Sequence, residues 1–562
     1  MEAIDTILQR LHITRADHLP IVAAFCRRIG LIDTINGLVP TDMDVDVGTI
    51  VQGMVLDTLS GRSPLYRLTE FFEHQDTELL LGRDVSPVSF NDSTVARAMD
   101  AIFDVGTQSV FGEVAFGAAR VFPLDMTHVH FDTTSVNVWG DYATCQDDDT
   151  RLNVTYGKSK DHRPDLKQFL IDMLCVNRNI PILGGCQDGN ASDKTLNNNV
   201  LTRIARHMAR YGLGQDEFLY VADCAMVTED NLALMVGNRF VTRLPFSYKE
   251  ASRVVAEAVA EDVWEQIGTL NETPVTASRP VAVYRAAEKT VTLYGRQYRA
   301  LVIHSSAHDR RRTRRLEREL GRSEQSLREL LAAETRHEYA CRPDAEAAAD
   351  RLRATTTDLH GLDITVEERV RYAPGRPPRN GPRRIASVRF VLQGDVIEKP
   401  NEIQRRREEA GCFVLLTNVP RDGDRPMSAA QLLNAYKEQF GIERNFSFLK
   451  DPLVVNDMFV KKPERIEVLG MILLIALLIW NLIEHTLRQH VAATQQPLPG
   501  WDGKPTKRPT AFMMSTKFTG IQIARIGNQR QMAQPLTPTQ QQYLRALGLT
   551  ERDLISPSGG SG

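Results

Sequence analysis

Residues 128–139 have the sequence HVHFDTTSVNVW, which is rich in β-branched and aromatic residues and alternates in part between apolar and polar side chains. This pattern predicts a β-strand. Further strands are predicted at residues 152–156, 169–176, 217–222 and 239–244, and helices at residues 194–211 and 229–236. Three strands, a helix and then alternating strands and helices are typical of an α/β layer and not of a β-sandwich.

The chain before this strand predicts a helical N-terminal domain over residues 1–120. Apolar residues recur at three- and four-residue spacing in Ile21–Ile32 and Val47–Leu59, as on one face of a helix. The segment Asn91-Asp92-Ser93-Thr94 offers an N-cap for a helix over Val95–Val105.

The chain after the last of these strands divides into three further regions. The core, residues 121–248, is interrupted by an insertion over residues 249–425 with strands, a helical hairpin broken near Pro343, and a loop, Arg371–Arg384, rich in Pro, Gly and Arg. The core resumes over residues 426–490. There the capping-box pair Ser428 and Gln431 predicts one long helix to Leu449. Residues 491–562 predict a partly flexible tail with one short helix.

Composition excludes several classes of protein. Of the 562 residues, 42% are hydrophobic and 25% are charged, which argues against wholesale disorder. The net charge of −3 excludes a uniformly basic coat but permits a local basic face. The seven cysteines form no C-x-x-C pair, so neither a zinc ribbon nor a disulfide framework is predicted, and we expect a reducing, cytoplasmic location.

One apolar run, Val468–Trp480, raises the alternative of a membrane span. The run is shorter than the roughly 20 residues that a spanning helix needs, so we predict a buried core helix over Arg465–Leu487. Met1–Arg10 lacks the basic and apolar regions of a signal peptide.

Two aspartates stand at positions of interest for catalysis. Asp132 lies within the strand-like segment, although Asp is disfavoured in strands. Asp223 follows an apolar strand, and catalytic groups collect at the carboxyl ends of strands in open α/β sheets. Each has a simpler explanation, a turn for Asp132 and a helix entry for Asp223. Neither identifies a site alone.

Residues 436–450, YKEQFGIERNFSFLK, carry a stronger signal. On an ideal helix four polar side chains fall within about 60° of one another: Tyr436, Gln439, Glu443 and Lys450. A solvated face is the simpler alternative. Against it, apolar residues flank the stripe and predict its partial burial: Phe440, Ile442, Phe446 and Leu449. Gly441 also costs about 1 kcal/mol within a helix unless something must approach closely.

With these motifs the chain resembles bacterial insertion-sequence transposases of the DDE type, which have an RNase H-like core and a third motif written Y-x2-R-x3-E-x6-K. Tyr436, Glu443 and Lys450 match this motif, while Gln439 stands where the family has Arg and cannot form a bidentate charged pair. Segments 131–134, 221–223 and 415–418 resemble the flanking motifs. The resemblance covers most of residues 125–487, and the N-terminal helices are similar to the leading domain of one branch. It implies that the helical domain over residues 1–120 binds the DNA of the terminal repeats.

The resemblance implies an α/β fold with an RNase H-like core interrupted by a large mixed insertion. It implies that Asp132, Asp223 and Glu443 bind two Mg²⁺ ions, for which Mn²⁺ can substitute, and that Tyr436, Gln439 and Lys450 contact DNA. The reaction would be cleavage at the ends of an insertion sequence and transfer of the 3′-OH ends into target DNA. The expected partners are terminal inverted repeats, target DNA and a second copy of the chain, at the bacterial nucleoid and without a membrane.

Four arginines of the insertion loop are candidate phosphate contacts: Arg376, Arg379, Arg383 and Arg384. Two other functions remain as alternatives. One is an RNase H-like nuclease or resolvase without strand transfer, which would share the three carboxylates. The other is a non-catalytic DNA-binding protein derived from a transposase.

Overall fold

The computed structural model describes residues 11–61, 67–139, 142, 151–270, 281–306, 310–377, 381–451 and 462–557. The fold is mixed α/β and divides into two compact units. The first contains the chain up to Thr242 and from Asn434 onward, and the second contains Arg243–Leu433. The second unit thus falls close to the predicted insertion, and the N-terminal helices belong to the same unit as the first sheet.

The first unit opens with one strand, β1 (Leu11–Arg15), which sequence analysis missed, and continues as helices. The helices are α1 (Leu19–Arg28), α2 (Leu31–Leu38), α3 (Val47–Ser60), α4 (Leu68–Glu73), α5 (Thr77–Leu81), α6 (Asp92–Val105) and α7 (Thr107–Val121). The predicted cap of α6 is confirmed, because the Asn91 side chain accepts a hydrogen bond from the Thr94 N–H.

Five strands that are hydrogen-bonded neighbours form the centre of the first unit. Its elements in chain order are β2 (His128–Val138), β3 (Lys167–Val176), β4 (Ile180–Gln187), α8 (Asp193–Ala209), β5 (Leu219–Ala222), α9 (Glu229–Leu234) and β6 (Arg239–Leu244). The spatial order is β4-β3-β2-β5-β6. Strands β2, β3 and β4 form an antiparallel meander, and β5 and β6 run parallel to β2.

The prediction of a strand at residues 152–156 was wrong, because only an isolated bridge from Thr155 to Gln168 forms there. The third strand of the meander is β4 instead. It contains Pro181, Gly184 and Gly185, and both residue types are depleted in strands. The other strands and helices predicted for this sheet are confirmed, with small shifts at their ends.

The second unit has two sheets and four complete helices among its described residues. In chain order its elements are α10 (Lys249–Glu261), β7 (Glu265–Thr269), β8 (Val283–Leu293), β9 (Arg296–Ser305), α11 (Arg310–Glu334), α12 (Arg342–Ala354), β10 (His360–Tyr372), β11 (Ile385–Glu398), α13 (Pro400–Ala410) and β12 (Cys412–Thr417). Strands β12-β9-β8-β7 are antiparallel neighbours, and β10 and β11 form a ribbon of their own. The helical hairpin and its break are confirmed, with Pro343 in the first turn of α12.

The chain after the second unit begins within α14 (Ala429–Glu438). It continues as α15 (Phe440–Leu449), α16 (Pro463–Thr494), β13 (Leu498–Pro499), β14 (Pro505–Thr506), α17 (Ala511–Phe518), β15 (Gln522–Ile526), β16 (Gln529–Met532), α18 (Pro538–Ala546) and α19 (Glu551–Ile555). The Ser428–Gln431 capping box is confirmed by its two reciprocal hydrogen bonds. One uninterrupted helix to Leu449 is not confirmed, because α14 ends at Glu438.

Helix α16 is the core helix of the first unit. Its length and the mean hydropathy of 2.5 of its most apolar 18-residue window would suit a membrane span, but 89% of that window is buried. It packs against β4 and against α3, α6 and α7. The predicted buried helix over Arg465–Leu487 is therefore confirmed and extends further in both directions.

The short helix predicted for the partly flexible tail is confirmed as α18 (Pro538–Ala546). The described residues 491–557 contain more regular structure than predicted, because they form further helices and strands, and β15 pairs with β1 and with β16. The Pro- and Gln-rich composition suggested little structure, but the tail is stabilised by pairing with the N-terminal strand. That pairing joins residues about 500 positions apart and has no local sequence signal.

Candidate active site

The sheet of the first unit brings Asp132 and Asp223 together. Strands β2 and β5 are parallel neighbours, and their register pairs Phe131 with Ala222. Asp132 is the next residue of β2, and Asp223 directly follows the end of β5; neighbouring strands lie about 4.8 Å apart. The Asp132 side chain is 22% exposed, so it is within reach of solvent without being fully hydrated.

The two carboxylates disfavour one another's ionisation. Burial is the main reason that the pKa of Asp132 rises to about 6; the carboxylates of Asp223 and Asp193 act in the same direction, and the Lys160 ammonium opposes them. The pKa of Asp223 is also raised, by burial first and then by Asp193. Such a pair favours a neighbouring positive charge.

Lys160 supplies one positive charge at this place. Its ammonium lies 3.7 Å from Asp132 Oδ1 and 3.5 Å from Asp193 Oδ1. It donates to the carbonyl oxygen and the hydroxyl of Thr133, at 2.6 and 2.8 Å. The Thr133 hydroxyl in turn donates to Asp193 Oδ1 at 2.6 Å. These contacts fix the positions of Lys160 and Asp193 beside β2, the strand that contains Asp132.

Sequence analysis missed both of these residues. Asp193 lies in the first turn of α8, after the N-cap Ser192, where an acidic residue is ordinary because of the helix dipole. Lys160 lies outside the described helices and strands. Their chain neighbours carry no signal that links either residue to Asp132.

Glu443 is placed differently from the other two predicted ligands. Its side chain is exposed on α15, so the predicted partial burial of this residue was wrong. In the part of the chain that the structure describes, no three Asp, Glu, His or Cys side chains lie close enough together to hold a metal ion. The structure thus brings together Asp132 and Asp223, and it does not place Glu443 within ligating distance of both.

Helix α15 nevertheless covers the sheet face that carries Asp132. Alternate residues of a strand point to one face, and His128 on that face contacts Glu438 at the end of α14. Asn445 Nδ2 lies 3.7 Å from the sulfur of Met173, the strand partner of Asp132.

Lys450 lies on the same side of its helix as Glu443, because seven residues correspond to nearly two turns. Its ammonium pairs with Asp161 Oδ1 at 2.5 Å, and Asp161 is the chain neighbour of Lys160. Lys450 thus reaches the segment that carries Lys160, whereas Glu443 itself is exposed.

The junction at Gln439 changes the predicted polar stripe. Gln439 keeps right-handed helical dihedral angles, but its N–H donates to the Tyr436 carbonyl, and the Ile442 N–H donates to the Gln439 carbonyl. These i→i−3 hydrogen bonds wind the chain more tightly than an α-helix. Tyr436 and Glu443 are therefore not aligned as on an ideal helix, and Phe440 is 64% exposed and covers no polar group.

Contacts with the sheet hold this junction. Glu438 accepts a hydrogen bond from His128 Nδ1 at 2.8 Å, and Arg178 lies 3.5 Å away. Although burial alone would raise it, these partners hold the pKa of Glu438 at about 2. A Cβ on Gly441 would lie only 2.3 Å from the Arg178 carbonyl oxygen. The close approach that sequence analysis inferred for Gly441 is thereby confirmed.

The predicted arginine contacts belong to the second unit. Arg376, Arg383 and Arg384 are exposed, and the Arg383 guanidinium lies over the Tyr372 ring at 5.0 Å. Arg379 lies outside the described residues.

The carboxylates at this site provide part of the ligand set that a hard divalent cation needs. Mg²⁺ prefers oxygen ligands, and Asp132 and Asp223 offer adjacent carboxylates whose ionisation a cation would favour. Glu443 has a carboxylate without a hydrogen-bond or ion-pair partner among the described residues. It could complete the ligand set only after a change in its position.

Comparison with known proteins identifies one match. Residues 11–116 match a domain of unknown function (DUF4277). A search of curated proteins finds no match. The matched segment contains β1 and most of the N-terminal helices and ends before β2, so the candidate active site lies outside it.

Proposed function

We propose that the chain is a DDE transposase, which cleaves DNA at the ends of an insertion sequence and joins the 3′-OH ends to target DNA. One observation carries the proposal: Asp132 on β2 and Asp223 at the end of the neighbouring parallel strand β5 both have raised pKa values, and the helix that bears Glu443 packs against β2. The spacing of Glu443 and Lys450 in the resembled motif supports the same reaction.

The strand arrangement of the first unit supports an RNase H-like core. An antiparallel meander is followed by two strands parallel to its first strand. Asp132 is on that first strand and Asp223 follows the first of the two parallel ones. The second unit then stands as a large insertion between the second aspartate and Glu443, in the order that the resemblance implies.

The side chains suggest a division of roles. Asp132 and Asp223 would bind Mg²⁺, with Glu443 as the third ligand; bound Mg²⁺ supplies charge neutralisation at the phosphate and an activated oxygen nucleophile. Lys160 keeps the two aspartates ionised near neutral pH. Lys450, once released from Asp161, can bind a DNA phosphate as a point charge. Tyr436 and Gln439 belong to the same DNA-contacting segment.

The proposed partners follow from the reaction. Two element ends must be joined to one target, and closed two-fold symmetry is the commonest way to hold two active sites in a fixed relation. We therefore include a homodimer, terminal inverted repeats and target DNA in the proposal, in the bacterial cytoplasm at the nucleoid. Mn²⁺ is expected to substitute for Mg²⁺.

The test is gel analysis of the purified chain with its native element ends, in Mg²⁺ and in Ca²⁺. We expect nicking at the element end in Mg²⁺, and joint molecules when a pre-cut end and target DNA are supplied. Asp132→Ala, Asp223→Ala and Glu443→Ala should abolish cleavage while end binding persists. Asp165→Ala, which changes an exposed carboxylate paired with Arg163, is the matched control and should cleave normally.

Three results would contradict the proposal. Cleavage without joint molecules would favour a nuclease or resolvase. End binding without any Mg²⁺-dependent nicking would favour a non-catalytic DNA-binding protein. Full nicking by the Glu443→Ala variant would remove Glu443 from the ligand set.

A further inference from the structure

The ribbon, residues 360–372 and 385–398, has one apolar face and one polar face. On the apolar face, Leu362, Ile364 and Leu392 pack into a cluster with residues of α11 and α12. Alternate residues point to the opposite face. Val391 on that face is also buried, whereas Arg369 and Arg371, further toward the connecting loop, are exposed.

The polar face changes its charge along the ribbon. Near the start of β10, Asp363 lies opposite Asp395. Toward the connecting loop, Arg369 lies opposite Arg389, and Arg371 lies opposite Ser387. The loop beyond adds the exposed Arg376, Arg383 and Arg384. Basic residues therefore occupy one end of the ribbon and acidic residues the other.

The rung formed by Arg369 and Arg389 has two like charges directly opposite each other. Side chains in such positions have Cβ atoms about 5 Å apart, and like charges there destabilise the ribbon. Arg371 is neutralised by Glu338 at 2.7 Å. Among the described residues, neither Arg369 nor Arg389 has a hydrogen-bond or ion-pair partner. The two guanidinium groups of this rung are thus available to bind an anion.

The spacing of these arginines along the ribbon and its loop fits a row of anions better than a single anion. Successive rungs on one face lie about 6.6 Å apart, and the arginines continue from the rung into the loop. A DNA strand carries one phosphate per roughly 3.4 Å of helix axis, and the major groove of a duplex can admit a two-stranded ribbon.

We infer that the basic end of the ribbon, formed by the Arg369–Arg389 rung with the exposed Arg371, Arg376, Arg383 and Arg384, binds the phosphate backbone of duplex DNA. The inference rests on the proposed function, because it takes DNA as the substrate, and it assigns a place where the second unit binds that DNA. Binding through phosphates alone carries no sequence preference. The ribbon therefore adds affinity to element ends and to unrelated duplexes alike.

The test compares the full chain with the variant Arg369→Gln/Arg389→Gln in fluorescence anisotropy titrations without Mg²⁺, at several salt concentrations. An element-end duplex and an unrelated duplex are both titrated. Loss of two phosphate contacts should reduce the slope of log affinity against log salt by about 1.8 on both duplexes. The control variant Asp363→Asn/Asp395→Asn removes two charges from the other end and should not reduce the slope.

A second variant separates binding from folding. Arg389→Glu creates an opposite-charge pair with Arg369 and should leave the melting temperature unchanged or higher, while it weakens binding to both duplexes. An unchanged salt slope in the double Gln variant would overturn the inference, and so would wild-type affinity of the Arg389→Glu variant.

Failure of the inference is distinguishable from failure of the proposed function. If the wild-type chain cleaves element ends and the double Gln variant keeps the wild-type salt slope, the ribbon is not a DNA site, but the transposase proposal stands. If the slope falls as expected and no Mg²⁺-dependent cleavage occurs, the ribbon binds DNA and the catalytic proposal fails.

Discussion

At the scale of single residues, the site is defined by a carboxylate that is costly to ionise. The pKa of Asp132 is about 6, against an ordinary value of 3.8. Because the folded-state pKa is raised, the neutral carboxyl stabilises the fold below about pH 4, and this contribution is lost as the pH rises through 6. The difference corresponds to on the order of 3 kcal/mol. The ionised Asp132 carboxylate thus lowers stability at neutral pH, and under the proposed function a bound cation would offset this effect.

The variant Asp132→Asn is predicted to melt at a higher temperature than the wild-type chain at pH 8, and the difference should be about a third as large at pH 4.5. The Asn side chain keeps the shape and removes the unfavourable ionisation. Thermal unfolding in EDTA measures the effect. Added Mg²⁺ should then raise the melting temperature of the wild-type chain at pH 8, and raise that of Asp132→Asn much less.

Asp165→Asn is the control for this prediction, since Asp165 is 59% exposed. It should not reproduce the gain at pH 8. Equal melting temperatures of wild type and Asp132→Asn at both pH values would show that ionisation of Asp132 does not destabilise the fold.

At the scale of elements, the junction of α14 and α15 sets where Glu443 lies. Glu438 ties the end of α14 to β2, and Gly441 lets α15 approach the turn between β3 and β4. The position of this junction also fixes the position of the residues that follow it. Asn445 contacts the sheet, and the Lys450 ammonium pairs with Asp161. A shift of α15 would therefore move Glu443 and Lys450 together.

Gly441→Ala is predicted to lower both thermal stability and cleavage rate. The new Cβ would meet the Arg178 carbonyl oxygen at 2.3 Å, so the helix must move away from the sheet. Overpacking of this kind costs about 1–3 kcal/mol. Melting curves and Mg²⁺-dependent cleavage assays measure the two effects.

The matched control is Gly321→Ala on α11, where an added Cβ would meet nothing within 4 Å. Alanine is favoured over glycine in a helix by roughly 1 kcal/mol, so this variant should be as stable as the wild type or more so. A Gly441→Ala variant with wild-type stability and cleavage would show that the close approach has no role.

At the scale of the whole first unit, the two ends of the chain stabilise each other. Strand β15 pairs with β1, and Arg530 donates two hydrogen bonds to Asp76, at 2.7 and 2.9 Å. Both side chains are 3% exposed. Asp76 also caps α5 by accepting a hydrogen bond from the Leu79 N–H. The segment that matches the domain of unknown function therefore depends on the C-terminal tail.

Arg530→Met is predicted to destabilise the first unit by about 3–5 kcal/mol, because it leaves the Asp76 carboxylate buried and without its strongest partner. Thermal unfolding would show a lower melting temperature. Arg15→Gln breaks an exposed pair with Asp17 and should cost less than about 1 kcal/mol. If both variants melted alike, the buried pair would contribute no more than a surface pair.

Sequence patterns alone were enough for the local parts of this protein. The alternation in residues 128–139, the apolar run before Asp223 and the caps at Asn91 and Ser428 each depend on residues a few positions apart. Such signals act within one strand or one helix turn, because side-chain direction and capping are local properties of the backbone. They predicted most elements of the first sheet and placed Asp132 on its strand and Asp223 at the end of its strand.

Only the tertiary structure decided which distant residues meet. Lys160 and Asp193 lie near Asp132, and β15 pairs with β1, although no nearby residue signals either contact. The break at Gln439 and the exposure of Glu443 follow from contacts of Glu438 and Gly441 with β2 and the β3–β4 turn. Packing of segments far apart in the chain outweighs the helical preference of a single segment, and it is this packing that sets the geometry around Asp132.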